Sequence, residues 1–114
     1  MTFKSEINQI ENVHRVALFG RLDSATSGEF EKSLQSLFQE AGSRATIDFH
    51  ALNYISSAGL RVVLMSAKRA KQGRGQLILH SLQPHVREVF EISGFLRILD
   101  VADNLDAALG RFAA

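Results

Sequence analysis

Two adjacent hydroxyls, Ser56 and Ser57, stand directly before the run Ala58-Gly59-Leu60-Arg61-Val62-Val63-Leu64, where apolar residues begin to recur at helical spacing. A serine at such a place is open to three kinds of chemistry. As an N-cap its oxygen accepts one of the free amides of the first turn, and in an arbitrary protein this is the commonest role of a serine pair before a helix. As a nucleophile it needs a base within hydrogen-bond reach; no base is assigned, and the Gly-x-Ser-x-Gly elbow is missing from the chain. As a phosphate acceptor it would place an anion against unpaired amides and the positive end of the helix dipole, so the fold would tolerate the modification. Arg61 follows one turn later. The group Lys68, Arg69, Lys71 and Arg74 reads first as a solvated face and a complement to the dipole at the helix end.

Other chemistries are closed off by composition. The chain has no cysteine, which excludes disulfides, thiolate nucleophiles and cysteine metal sites. His14, His50, His80 and His85 lack ligand spacing, so no metal is expected, and surface or strand-end positions account for them. Gly73-Arg74-Gly75 follows a helical segment and precedes a strand, the reverse of the order in phosphate loops, and reads as a turn. No Walker or kinase motif is present, and no cofactor is expected. Thirteen basic residues against twelve acidic ones, spread along the chain, form no footprint for nucleic acid. Met1-Thr2-Phe3-Lys4-Ser5-Glu6 lacks the apolar stretch of a signal peptide, and no run approaches the roughly 20 apolar residues that span a bilayer. A soluble cytoplasmic protein without membrane insertion is expected.

The elements that must position the serines follow from periodicity. Phe3–Ile10 and Val13–Leu22 read as strands joined by a hairpin turn at Glu11-Asn12. From Ser24 to Ala41 the residues Phe30, Leu34, Leu37, Phe38 and Ala41 form a helical stripe, ended by Gly42. Its start is open between Asp23 or Ser24 as cap and a capping box of Thr26 and Glu29. Ala45–Phe49 reads as a third strand, parallel to an earlier one, and a connection over residues 50–56 leads to a helix from Ser57 to Gln72 with Gly73 as its left-handed exit. Leu77–Leu79 is a fourth strand. Pro84 opens a short helix bearing Val86, Val89 and Phe90 and closed by Gly94; Arg97–Val101 is a fifth strand, and Asp103 caps a last helix. The order β-β-α-β-α-β-α-β-α predicts one α/β domain over residues 1–114, with a mixed, mostly parallel five-stranded sheet and four helices.

Within this frame, Tyr54-Ile55-Ser56-Ser57-Ala58-Gly59-Leu60 resembles the signature of STAS domains: an apolar pair, Asp, Ser, Ser or Thr, Gly and Leu at a helix start. Gly20-Arg21-Leu22-Asp23 resembles the family's Gly-x-Leu-Asp loop, and Val86–Gly94 with Leu99 resembles its later helix and strand. Ser56 stands where the family often has Asp, and Ala58 where a second hydroxyl is usual.

The resemblance, which is to bacterial anti-sigma factor antagonists, implies that Ser57 is the phosphorylated serine. It also implies that Asp23, Ser24, Ser56, Ser57, Ala58, Gly59 and Arg61 form the partner-binding surface. The implied partner is an anti-sigma factor serine kinase, which would supply ATP and Mg²⁺, with a matching phosphatase as a second candidate. The antagonist itself would be no enzyme. An alternative from another class makes the chain a STAS accessory or scaffold subunit of a transport or signalling complex, gripping its partner without phosphorylation control.

Overall fold

The computed structural model describes residues 3–112. Strands β1 (Phe3–Ile10) and β2 (Val13–Leu22) pair antiparallel, from Phe3 opposite Gly20 to Ile10 opposite Val13. Glu11 adopts a positive φ of 56° in the tight turn between them. Strands β3 (Arg44–Ile55), β4 (Gln76–His80) and β5 (Asp100–Ala102) then add in parallel, so the sheet order β1-β2-β3-β4-β5 is the order of the sequence. This is the expected mixed α/β sheet, and among the described residues it carries four helices: α1 (Ser27–Leu37), α2 (Ser57–Gln72), α3 (Pro84–Ile92) and α4 (Leu105–Gly110).

Alternation along the strands divides the two faces. Val16, Leu18 and Leu22 of β2, Ala45, Ile47 and Phe49 of β3, and Leu77 and Leu79 of β4 enter one core with Phe30 and Leu34 of α1, Leu60 and Val63 of α2, and Val86 and Phe90 of α3. Phe49 meets Phe90 edge to face, with centroids 5.8 Å apart. Ile78 and Ala102 point to the opposite face, where Ala108 of α4 covers them and Phe112 packs alongside. The side-chain period of two leaves these residues no other side.

Several boundaries differ from the sequence-based expectation, each for a local reason. Helix α1 begins at Ser27 rather than Ser24, because residues 23–26 form a turn in which Asp23 Oδ1 accepts the amides of Ala25 and Thr26 at 3.0 and 3.2 Å. The Thr26 hydroxyl turns back to accept from Asp23 N at 3.0 Å, so the expected Thr26–Glu29 capping box does not form. Helix α1 also ends at Leu37, before Gly42. Gly73 has φ −86° and is no left-handed exit; Arg74 takes that conformation at φ 61°. Gly75 then passes so close to the residue before β3 that a β-carbon would lie 2.1 Å from the Ser43 carbonyl oxygen. The expected fifth strand starts late, because Phe95–Arg97 winds into a 3₁₀ turn after the left-handed Gly94 and only Asp100–Ala102 pairs with β4. Asn104, not Asp103, caps α4, accepting the Ala107 amide at 2.9 Å.

The largest departure is β3. The expected connection over residues 50–56 is strand as far as Ile55, paired to β2 through two register shifts that keep Leu52 and Ile55 in the core. On its other side β4 stops at His80, opposite Asp48. Side chains from beyond β4 take over there: Gln83 Nε2 donates to the His50 carbonyl at 2.6 Å, and His85 Nε2 donates to the Asn53 carbonyl at 2.5 Å. Backbone acceptors that would otherwise be unmatched on the sheet are thereby satisfied.

Candidate functional site

Strands β2 and β3 end side by side, with Leu22 opposite Ile55, and their carboxyl ends feed the two loops that build the site. In open α/β sheets this is the edge at which binding surfaces gather. Ser56 N–H donates to the Leu22 carbonyl at 2.9 Å, which ties the start of α2 to the start of the Asp23 loop. Arg21 stacks its guanidinium 4.2 Å from the centroid of the exposed Tyr54 ring across the same pair of strands.

The two serines have separate tasks. Ser56 is extended, at φ −92° and ψ 173°, and its Oγ accepts the Gly59 amide at 3.2 Å, so it is the N-cap of α2. The family's usual Asp would serve equally well there, since Asp and Ser rank alike as caps. Ser57 is the first helical residue; it is exposed, and its hydroxyl has no hydrogen-bond partner among the described residues. The capping role expected of a serine pair is thus discharged by Ser56, which leaves Ser57 Oγ chemically free.

The remaining expected residues divide between scaffold and surface. Ala58 is half-buried, and Gly59 is buried against the strand ends, where a β-carbon would sit 2.9 Å from Leu22 Cγ and 3.0 Å from Ile55 Cγ1. Gly59 therefore sets how closely α2 approaches the sheet. Asp23 is half-buried and spends its carboxylate on its own turn, whereas Ser24 is exposed. Arg61 is exposed and shares with Ser57 a surface hollow of about 250 Å³, walled by Leu60 and Leu64 on one side and by Ser93 and Phe95 on the other. Ser93 and Phe95 escaped the sequence reading because only tertiary folding brings the end of α3 to the start of α2. The Arg21–Tyr54 pair was legible in principle as two residues at the ends of adjacent strands, but the register shifts in β3 hid the match.

The histidines stay outside this site, and among the described residues no group of His, Asp and Glu could hold a metal ion. His80 has the expected strand-end placement, closing β4, and is buried there, with Nδ1 2.8 Å from Ser81 Oγ and Nε2 lacking a partner among the described residues. Burial pushes its imidazole below the ordinary value. Nearby Asp48 acts in the opposite sense, and Arg15 reinforces the lowering.

The α/β sheet thus presents a free hydroxyl at a capped helix start, bordered by a cationic side chain and an apolar hollow. The chain belongs to the STAS domain family, whose profile matches residues 4–108. Among curated relatives it is 44% identical to BtrV of Bordetella bronchiseptica, a protein named for anti-sigma factor antagonism, over 96% of this chain and 94% of that one. Among known structures, an anti-sigma factor antagonist from Mycobacterium paratuberculosis superimposes with a TM-score of 0.83 at 18% identity, covering 96% of this chain and 92% of the other. The Bacillus cell fate determinant SpoIIAA in its phosphorylated form superimposes with a TM-score of 0.70 at 23% identity, over 95% and 98% of the two chains. Among the described residues no helix is long and apolar enough to cross a membrane.

Proposed function

We propose that the unmodified chain is an anti-sigma factor antagonist that binds a serine-kinase anti-sigma factor through the surface around Ser57, and that phosphorylation of Ser57 by that kinase ends the binding. The observation that carries this reading is the division of labour at the helix start: Ser56 holds the cap, and Ser57 Oγ is exposed and unbonded one residue further on. The kinship to BtrV, itself named for anti-sigma factor antagonism, supports an anti-sigma factor as the partner.

Phosphorylation would add a charge of about −1.5 to −2 and three acceptor oxygens at a helix N-terminus that accommodates anions. The fold persists while the docking surface changes. Each 1.4 kcal/mol of repulsion or unreplaced desolvation lowers affinity about tenfold, so a few kcal/mol suffices for a switch. A matching phosphatase would reset it. ATP and Mg²⁺ belong to the kinase.

The test couples mapping with calorimetry. Incubation with the cognate kinase should label the Ser57 peptide; Ser57→Ala should abolish incorporation, and Ser56→Ala should leave much of it. Ser57→Asp should weaken the complex, by less than true phosphorylation does, because a carboxylate carries one charge and lacks the tetrahedral oxygens. Equal affinity of wild type, Ser57→Asp and the phosphoprotein would reject the switch in favour of a constitutive scaffold subunit.

A further inference from the structure

Helix α2 runs on from Ser57 with every one of its charges positive: Arg61, Lys68, Arg69 and Lys71, and no acidic residue. A complement to the helix dipole explains the last three, near the carboxyl end, but Arg61 lies one turn from the positive end and gains nothing from it. Ser57, Arg61, Leu64, Lys68 and Lys71 follow one another at three- and four-residue steps and so form a single stripe. Against that stripe lie three hollows of about 250, 210 and 310 Å³. The first two share Leu64, and the last two share Ala67, Lys71 and Ile98, so they adjoin in a row and line α2 as a groove.

The groove is apolar beneath and cationic at its edge. Ile98, on its far wall, is 63% exposed, a large hydrophobic side chain left without cover. Arg61, Lys68 and Lys71 form no ion pair among the described residues. Asp100, at the far end, has its carboxylate paired with Arg111, so it does not offset the rim. From Ser57 to Lys71 the stripe is about 20 Å long at 1.5 Å per residue, the length of a helix of about 14 residues.

We infer that this groove receives an acidic amphipathic helix of the partner protein, its apolar edge on Leu64, Ala67 and Ile98 and its carboxylates along Arg61, Lys68 and Lys71. The inference rests on the proposed partner-binding role of the Ser57 surface and gives that contact its chemistry. It also supplies a cause for release: a phosphate on Ser57 puts negative charge at the mouth of a groove whose occupant is itself negative. Electrostatic complementarity becomes like-charge repulsion at one end of the same helix.

The probe is a stapled helical peptide of about 15 residues with leucines at helical spacing and glutamates flanking them, set against its twin with lysine at every glutamate. Binding is read by fluorescence anisotropy at low salt. The acidic peptide should bind and the basic one should not, and raising the salt should weaken binding severalfold. Lys68→Glu and Ile98→Ser should each weaken it by about fivefold or more, whereas Lys32→Glu on α1, with the same change in net charge, should alter it less than twofold. Ile98 is exposed enough that Ile98→Ser should fold normally, as circular dichroism would verify. No binding of the acidic peptide, equal binding of both peptides, or equal effects of Lys68→Glu and Lys32→Glu overturns the groove, and leaves labelling of Ser57 by the kinase unaffected. Binding lost in Lys68→Glu but untouched by Ser57→Asp supports the groove and counts against the switch.

Discussion

Separate tasks for two neighbouring serines make a sharp prediction: replacing each by alanine should have opposite consequences for stability and for signalling. In Ser56→Ala the Gly59 amide loses its 3.2 Å acceptor. Loss of a serine N-cap costs about 0.5–2 kcal/mol, and because Gly59 is buried against Leu22 and Ile55 its amide is poorly placed to find water, which puts the expected loss in the upper half, about 1–2 kcal/mol. For a chain of 114 residues, the usual unfolding entropy per residue translates each kcal/mol into about 4 °C of Tm, so a fall of about 4–8 °C is expected. In Ser57→Ala no hydrogen bond is lost, and alanine is the better helix former, so stability should stay within about 0.5 kcal/mol of wild type. Ser56→Asp should keep the cap and match or slightly exceed wild type. Urea and thermal unfolding followed by circular dichroism measure all three, with phosphate incorporation assayed on the same preparations. Equal destabilisation by Ser56→Ala and Ser57→Ala would refute the division, since Ser57 would then be holding the helix start.

Two further expectations concern the frame around the site. Gly59→Ala should destabilise by about 1–2 kcal/mol in chemical denaturation, because overpacking against Leu22 Cγ outweighs the helix propensity gained; an unchanged midpoint would mean that α2 shifts freely on the sheet. His80 binds protons less readily folded than unfolded, so its contribution to stability is present above its ordinary value of about 6.5 and is lost as pH falls below that value towards the depressed folded one. Stability measured from pH 7.5 down to 5.5 should therefore fall less steeply in His80→Leu than in wild type; parallel curves would exclude His80 as the cause.

Much of this protein was legible in one dimension. The limits of β1, β2 and α2 follow from β-branched and aromatic content, turn residues and helical spacing, and β2 and α2 each bury one face with their own sequence period. The sheet type follows from helices intervening between successive strands, and the candidate serines from a motif read on contiguous residues. What escaped depends on partners distant in the chain. Strand β3 continues to Ile55 because β2 lies beside it and because Gln83 and His85 reach its open carbonyls; no local pattern announces a strand completed by side chains more than thirty residues away. Which serine caps and which stays free was likewise undetermined, since the two are the same residue type and only the extended backbone at Ser56 aims its oxygen at Gly59. The groove beside α2 needs the chain after α3, where the left-handed Gly94 leads into the Phe95–Arg97 turn and Ile98 lines the wall opposite the helix. Local sequence determines which residues favour helix, strand or cap, whereas the exposure of a hydroxyl or the walls of a groove depend on where distant segments pack.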